Sequence, residues 1–175
     1  MSRNLSQYAT IFARWGGPSQ EVKVALLGAS GSVGWKSLAA VSGMPNAKIV
    51  AVVGRNRERL EKTLKEDTLP GFDKSKVQIY AGEKGFETML RNEEIQAVIS
   101  ATPSKVHTQQ GVAIAQAGKN LLIEKPLALS IPECNILIDA FRRAVKQLGV
   151  IFQLRYNPEI RALKRLIQEG NFGEI

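Results

Sequence analysis

Val22-Lys-Val-Ala-Leu-Leu-Gly-Ala-Ser-Gly-Ser-Val-Gly34 is a short apolar run that meets a loop of small residues. A run of that length, rich in Val and Leu, reads as a buried parallel strand. Small residues after it serve three needs. The chain must turn sharply, a diphosphate must approach main-chain N–H groups, and the next helix must pack on the strand without a Cβ in the way. Phosphates in such a loop lie at the positive end of the helix. Gly28, Ala29, Ser30, Gly31, Ser32, Val33 and Gly34 are therefore candidates to cradle a dinucleotide. Strict Gly-x-Gly-x-x-Gly is absent, because Ser30 and Val33 hold its second and third glycine positions. The glycines recur instead at 28, 31 and 34, a spacing also compatible with a tight turn that holds no ligand.

The pattern continues outward from this loop. A helix is expected from 32 to 41, stopped by Gly43-Met-Pro45, then a β-branched strand, Ile49 to Val53. Arg57 to Glu66 is a charged helix with Leu60 and Leu64 inward, Val77 to Tyr80 a short strand towards an edge, and Gly85 to Asn92 a brief helix. Ala97 to Ser100 and Leu121 to Ile123 are the next strands, separated by a helix from Lys105 to Ala117. Ser130 and Glu133 have capping-box spacing and open a long helix. Its stripe is Cys134, Leu137, Ile138, Phe141, Val145 and Leu148, with Gly149 as its end. Val150 to Leu154 reads as a last strand, and Glu159 to Glu169 as a basic amphipathic helix. Strands alternating with helices imply βαβ units. The expected fold class is α/β, a Rossmann-type doubly wound parallel sheet over residues 21–154.

Two strand ends carry chemistry. The fifth ends in Glu124-Lys125-Pro126, and open α/β sheets bind ligands at the carboxyl ends of their strands. A lysine there can move a proton, and its plainer role is a stem that snorkels to solvent. The second strand ends in Gly54-Arg55-Asn56. An acid at that point would accept hydrogen bonds from a ribose and repel a 2′-phosphate. A guanidinium suits the phosphate, which favours NADP over NAD. Arg57 and Arg59 read better as the solvated start of a helix.

Composition narrows the remaining classes. The net charge of +8 is concentrated late, where seven basic residues between Phe141 and Arg165 face one acid, Glu159. No zinc-finger spacing or aromatic RNA-binding signature accompanies it, so nucleic acid is not an expected partner. One cysteine, Cys134, permits no intrachain disulfide, and its apolar neighbours suit a buried thiol. The single histidine, His107, has no metal-ligand spacing around it, so no metal site is expected. No apolar run is long enough to span a bilayer. In residues 1–20, Leu5, Tyr8, Phe12 and Trp15 recur at helical spacing opposite Arg3 and Arg14, with no acid. This extension suits an organelle transit peptide or an ordinary disordered lead-in. The expected compartment is the cytoplasm, or a mitochondrion or other organelle if the extension is a targeting segment.

Four stretches together carry a resemblance: the glycine loop, Ala101-Thr-Pro-Ser-Lys-Val-His107, Ile123-Glu-Lys-Pro-Leu-Ala-Leu129 and Gln153-Leu-Arg-Tyr-Asn-Pro158. In order and spacing the chain resembles the N-terminal half of the glucose–fructose oxidoreductase, inositol dehydrogenase and rhizopine-catabolism (Gfo/Idh/MocA) family. The resemblance implies a nicotinamide-dependent oxidoreductase acting on sugars, polyols or related compounds. It implies Lys125 as the active-site lysine, with Glu124 and Pro126 shaping the turn and the nicotinamide pocket. Ala101, Thr102, Pro103 and His107 match the segment that lines the cofactor, with His107 orienting its loop rather than acting as a base. Arg155 and Tyr156 fall where the nucleotide domain hands over to a substrate domain, so 155–175 is expected to open a second domain. Gly173-Glu174-Ile175 reads as a turn entering a strand, and the chain as an N-terminal piece whose assembly surface lies in the missing domain. The same resemblance admits a protein that senses NADP without turnover.

Overall fold

A computed structural model describes residues 21–66 and 72–174. The expectations for residues 1–20 and for Ile175 lie outside the described residues. Six parallel strands form one sheet in the order β3-β2-β1-β4-β5-β6. They are β1 Val22–Leu27, β2 Ala47–Gly54, β3 Gln78–Ala81, β4 Ala97–Ser100, β5 Asn120–Glu124 and β6 Leu148–Ile151. The helices are α1 Ser32–Ser42, α2 Arg57–Glu66, α3 Gly85–Leu90, α4 His107–Gln116, α5 Ile131–Arg143 and α6 Pro158–Gln168. Strand β3 is an edge, as its short mixed sequence suggested. This is the doubly wound Rossmann-type arrangement.

The central strands are continuous apolar runs because both faces of the sheet are covered. Val24, Leu26, Val52 and Ile99 point to one face and meet Leu38 and Val41 of α1 and Leu60 and Leu64 of α2. Leu27, Val53, Val98 and Leu121 point to the other, against Met89 of α3, Ile114 of α4 and Leu137 and Phe141 of α5. A buried charge lies at the amino ends of β4 and β5. Lys119, 3% exposed, donates from Nζ to the carbonyls of Asn92 at 2.7 Å and Ile95 at 2.9 Å. Burial pulls its ammonium below the usual lysine range. It ties the turn before β5 to the segment between α3 and β4. Among the described residues no helix is long and apolar enough to cross a membrane.

Helix α5 opens on the expected Ser130–Glu133 pair, with the returning carboxylate taking the N–H one residue before the N-cap. Ser130 Oγ accepts from the Glu133 N–H at 3.4 Å, and the Glu133 carboxylate accepts from Ser130 Oγ and the Leu129 N–H, each at 3.1 Å. Its end is a correction to the sequence reading. The helix stops at Arg143, the Lys146 N–H reaches the Phe141 carbonyl at 3.0 Å, and the Val145 N–H reaches Arg142 at 3.2 Å. That is a Schellman closure with valine where glycine is usual. Ile138 is 40% exposed and Val145 87% exposed, so neither belongs to the core stripe, whose place is taken by Ala140. Gly149 is not a helix stop but lies in β6, where an added Cβ would sit 3.1 Å from Leu122 Cδ1. The last strand accordingly runs Leu148–Ile151, not Val150 to Leu154, and Gln153–Tyr156 form a 3-10 turn. The expected helix from Lys105 likewise starts as a 3-10 turn, Ser104–Val106, before α4.

Val145 has φ of 53°, a region that costs a β-branched residue more than it costs glycine. Val145→Gly is expected to raise the urea unfolding free energy by about 1 kcal/mol. An unchanged or lower midpoint would show that residue 145 does not hold the left-handed conformation.

Candidate functional site

Strand β1 lies between β2 and β4, so the chain winds one way through β1-β2-β3 and the other through β4-β5-β6. The carboxyl ends of β1 and β4 therefore flank the switch point of the sheet, the general ligand crevice of open α/β folds. Three glycines line the turn there, and they do different jobs. Gly28 has φ of 81°, and a Cβ on it would stand 2.7 Å from the Ala101 carbonyl oxygen. A Cβ on Gly34 would stand 2.2 Å from the Gly28 oxygen, so α1 packs onto its own turn only through hydrogen. Gly31 is the N-cap of α1 in extended conformation, and a Cβ there would meet only the Gly28 oxygen at 3.4 Å, ordinary contact. Folding demands Gly28 and Gly34 and leaves Gly31 free. No side chain caps the first turn of α1, and no acid occupies it. The main-chain N–H groups at that end thus face outward at the positive pole of the helix.

The second half of the site comes from β4 and β5. Glu124, the last residue of β5, accepts from the main-chain N–H of Lys125 at 3.2 Å, and the Lys125 side chain is exposed. The Lys125–Pro126 peptide is cis. A cleft of about 360 Å³ runs beside these residues. Its mouth is polar, with Thr102, Glu124, Lys125 and Gln153, and its floor is apolar, with Ile99, Leu122 and Ile151. Helix α1 supplies the opposite wall through Val33, Lys36 and Ser37. Lys36, Ser37 and Gln153 were not singled out from sequence. The first two share a helix face with Val33 at spacings of three and four, a signal that was available. Gln153 was expected inside a strand, where its approach to the cleft could not be foreseen.

His107 is 0% exposed, with Nδ1 2.9 Å from the Pro126 carbonyl and Nε2 2.9 Å from the Thr102 carbonyl. Its ring touches protein on every side. Ser100 Oγ and Thr102 Oγ1 lie 2.9 Å apart, and Thr102 continues to Gln110 Oε1 at 2.9 Å. Pro103 is the N-cap of the turn between β4 and α4.

Other candidates fall outside the cleft. Arg55 is exposed at the end of β2, and Asn56 caps α2 by accepting from the Arg59 N–H at 2.9 Å. Arg57 is tied to Glu61 at 3.5 Å and to the Ile79 carbonyl at 3.3 Å. Arg155 stacks over the Phe152 ring at 5.4 Å, beyond the cleft mouth. Among the described residues no cluster of three His, Cys, Asp or Glu side chains is placed to hold a metal ion. Cys134 is free and half-buried against the α5 side of the core.

A doubly wound sheet with a glycine turn at its switch point is the architecture of a nucleotide-binding domain. The model of the Gfo/Idh/MocA oxidoreductase family, described as an NAD-binding Rossmann fold, matches residues 22–152, and the chain belongs to this family. The family binds a nicotinamide dinucleotide. An α-N-acetylgalactosaminidase of Tannerella forsythia is 34% identical over 137 residues, covering 77% of this chain and 29% of that protein. A 2,7-anhydro-N-acetylneuraminate hydratase of Mediterraneibacter gnavus is 32% identical over 97 residues, 53% of this chain and 25% of the hydratase. Among solved structures, the WlbA dehydrogenase of Bordetella pertussis, in complex with NADH and UDP-GlcNAcA, superposes with a TM-score of 0.76 at 25% identity, over 90% of this chain and 42% of that one. The 3-ketoreductase KijD10 of Actinomadura kijaniata, in complex with NADP, gives 0.74 at 24% identity, over 89% and 46%, a likeness of fold. The chain thus spans less than half the length of the relatives it matches.

The three glycines separate in a folding test. Gly28→Ala and Gly34→Ala are expected to lower unfolding free energy by about 3 kcal/mol or more through overpacking. Gly31→Ala should cost about 1 kcal/mol or less, the scale of an N-cap change. Denaturant melts of the three variants give the order, and equal losses at all three would refute it.

Proposed function

We propose that this chain is the nucleotide-binding part of an NADP-dependent oxidoreductase acting on a sugar, polyol or related hydroxy or carbonyl compound. The observation that supports it most is that α1, just after the glycine turn, and Lys125 border one cleft. The residues present fit a dinucleotide. The uncapped, acid-free start of α1 leaves main-chain donors for a diphosphate, and Gly31 lacks a Cβ at a point where packing does not require its absence. Bound there, the nicotinamide supplies a hydride donor or acceptor.

The chain's own residues take distinct parts. The N–H groups of residues 32 to 34 hold phosphate oxygens, while the Gly31 N–H is spent on the Gly28 carbonyl at 3.1 Å, and Ala29 and Ser30 complete the turn that presents them. Arg55, exposed and at the end of β2, offers two parallel hydrogen bonds to a 2′-phosphate. Arg57 is already engaged by Glu61 and a carbonyl, which leaves Arg55 as the freer guanidinium. Lys125 exchanges a proton with the substrate oxygen, and Glu124 holds the main chain under it. Residues 155–174 begin the substrate domain. Their helix α6 supports this assignment, because Ile160, Leu163, Leu166 and Ile167 remain 37–45% exposed along one face. A helix with such a face normally buries it against another element.

The similarity to the Tannerella forsythia protein favours a second substrate reading, a glycoside of an N-acetylated amino sugar cleaved with net addition of water. Incubating the full-length protein with such a glycoside separates the two readings. Net oxidation accumulates reduced cofactor in step with product, whereas net hydrolysis releases sugar with the cofactor pool unchanged.

Arg55→Ala is expected to weaken NADPH binding about tenfold, about 1.4 kcal/mol, and leave NADH within about twofold. Tighter NADH than NADPH binding by the native chain would overturn the cofactor preference. In the full-length protein, Lys125→Met should lower turnover by about 10²-fold or more with cofactor affinity nearly unchanged. Unaltered turnover removes Lys125 from the mechanism.

A further inference from the structure

His107 occupies an unusual place for a chain's only histidine. It is fully buried, yet both ring nitrogens lie at hydrogen-bond distance from main-chain carbonyls, Thr102 on the loop after β4 and Pro126 on the loop after β5. Carbonyl oxygens only accept, so a ring nitrogen must carry its proton to hold either one, and holding both loops from this one side chain takes an N–H on each nitrogen. The nearby polar side chains Ser100, Thr102 and Gln110 satisfy one another and leave the ring to the two carbonyls.

The contacts run in series. Gly28 packs on Ala101, the Thr102 carbonyl meets Nε2, Nδ1 meets the Pro126 carbonyl, and Lys125 precedes Pro126. Strands β4 and β5 already pair up to Ser100 and Ile123, but that ladder stops before the loops begin. Beyond it, among the described residues, His107 is the side chain placed to bridge them. We propose that His107 is a positioning residue, which fixes the Lys125 amine relative to the glycine turn by clamping these two strand-end loops together. The proposal rests on the reading of Lys125 as the site lysine for its purpose, though not for its geometry.

The test reads the Lys125 amine directly. The full chain, native and as His107→Gln and His107→Asn, is labelled with pyridoxal 5′-phosphate and reduced with borohydride. Adduct formation is then followed by mass spectrometry at Lys125 and at Lys36, the other lysine on the cleft. The expected result is a change of at least about threefold in the Lys125 to Lys36 ratio in a folded variant, since loop geometry governs a side chain's reach. Gln and Asn carry the same amide donors, but Gln reaches further, so it should fall between the native chain and Asn. An unchanged ratio overturns the proposal, because a purely structural histidine would lower the melting point without moving it.

A second measurement needs no variant. Long-range proton–nitrogen spectra of the single imidazole should show a slowly exchanging N–H on each ring nitrogen. A ring in rapid exchange with solvent would equally overturn the clamp. Neither readout uses cofactor, so failure of NADPH to bind would sink the proposed function while leaving this inference standing.

Discussion

The approach of one backbone to another at residue 28 is the constraint on which the carboxyl edge of this sheet depends. The turn after β1 must pass so near Ala101 that a methyl group at 28 has no room, and α1 must start so near the turn that a methyl at 34 has none. Backbone packed on backbone cannot relax as side chains do, because no rotamer change relieves the clash. This pins the start of α1 over the switch point of the sheet. The free N–H groups of α1, the end of β4 and the end of β5 then share one crevice as a geometric consequence.

The two sides of that crevice are held by different means. On the nucleotide side the order is steric, set by glycines and the positive φ at Gly28. On the lysine side it is polar. Glu124 accepts from the Lys125 N–H, the two His107 ring nitrogens lie 2.9 Å from the Thr102 and Pro126 carbonyls, and a serine–threonine–glutamine chain lies nearby. Polar contacts inside a protein are costly to leave half made, so such loops keep one arrangement. A sterically fixed turn thus lies across one cleft from a loop that carries an exposed amine.

The sequence was legible where one physical rule dominated. The β1 run and its glycine turn, α2 from Arg57 to Glu66, and β4 from Ala97 to Ser100 stand where periodicity put them. It misled at the end of α5, where apolar residues keep helical spacing past Arg143 while the chain does not. There the helix is closed by hydrogen bonds to Phe141 and Arg142 around a valine, and no residue type announced it. Gly149 pointed the wrong way for the same reason. A glycine that ends a helix and one that makes room for Leu122 look identical in one dimension.

By itself the sequence determined the alternation of buried strands and helices, the small-residue turn after β1 and the lysine at the end of β5. Those follow from local periodicity and backbone freedom, which neighbouring residues set. Only the tertiary structure decided which glycines are demanded by packing, that Lys36 and Ser37 face the same cleft as Lys125, and that His107 is turned inward to two carbonyls. Each of these depends on which segments come within a few ångströms of one another across the sheet. Spacing along the chain carries no record of that distance.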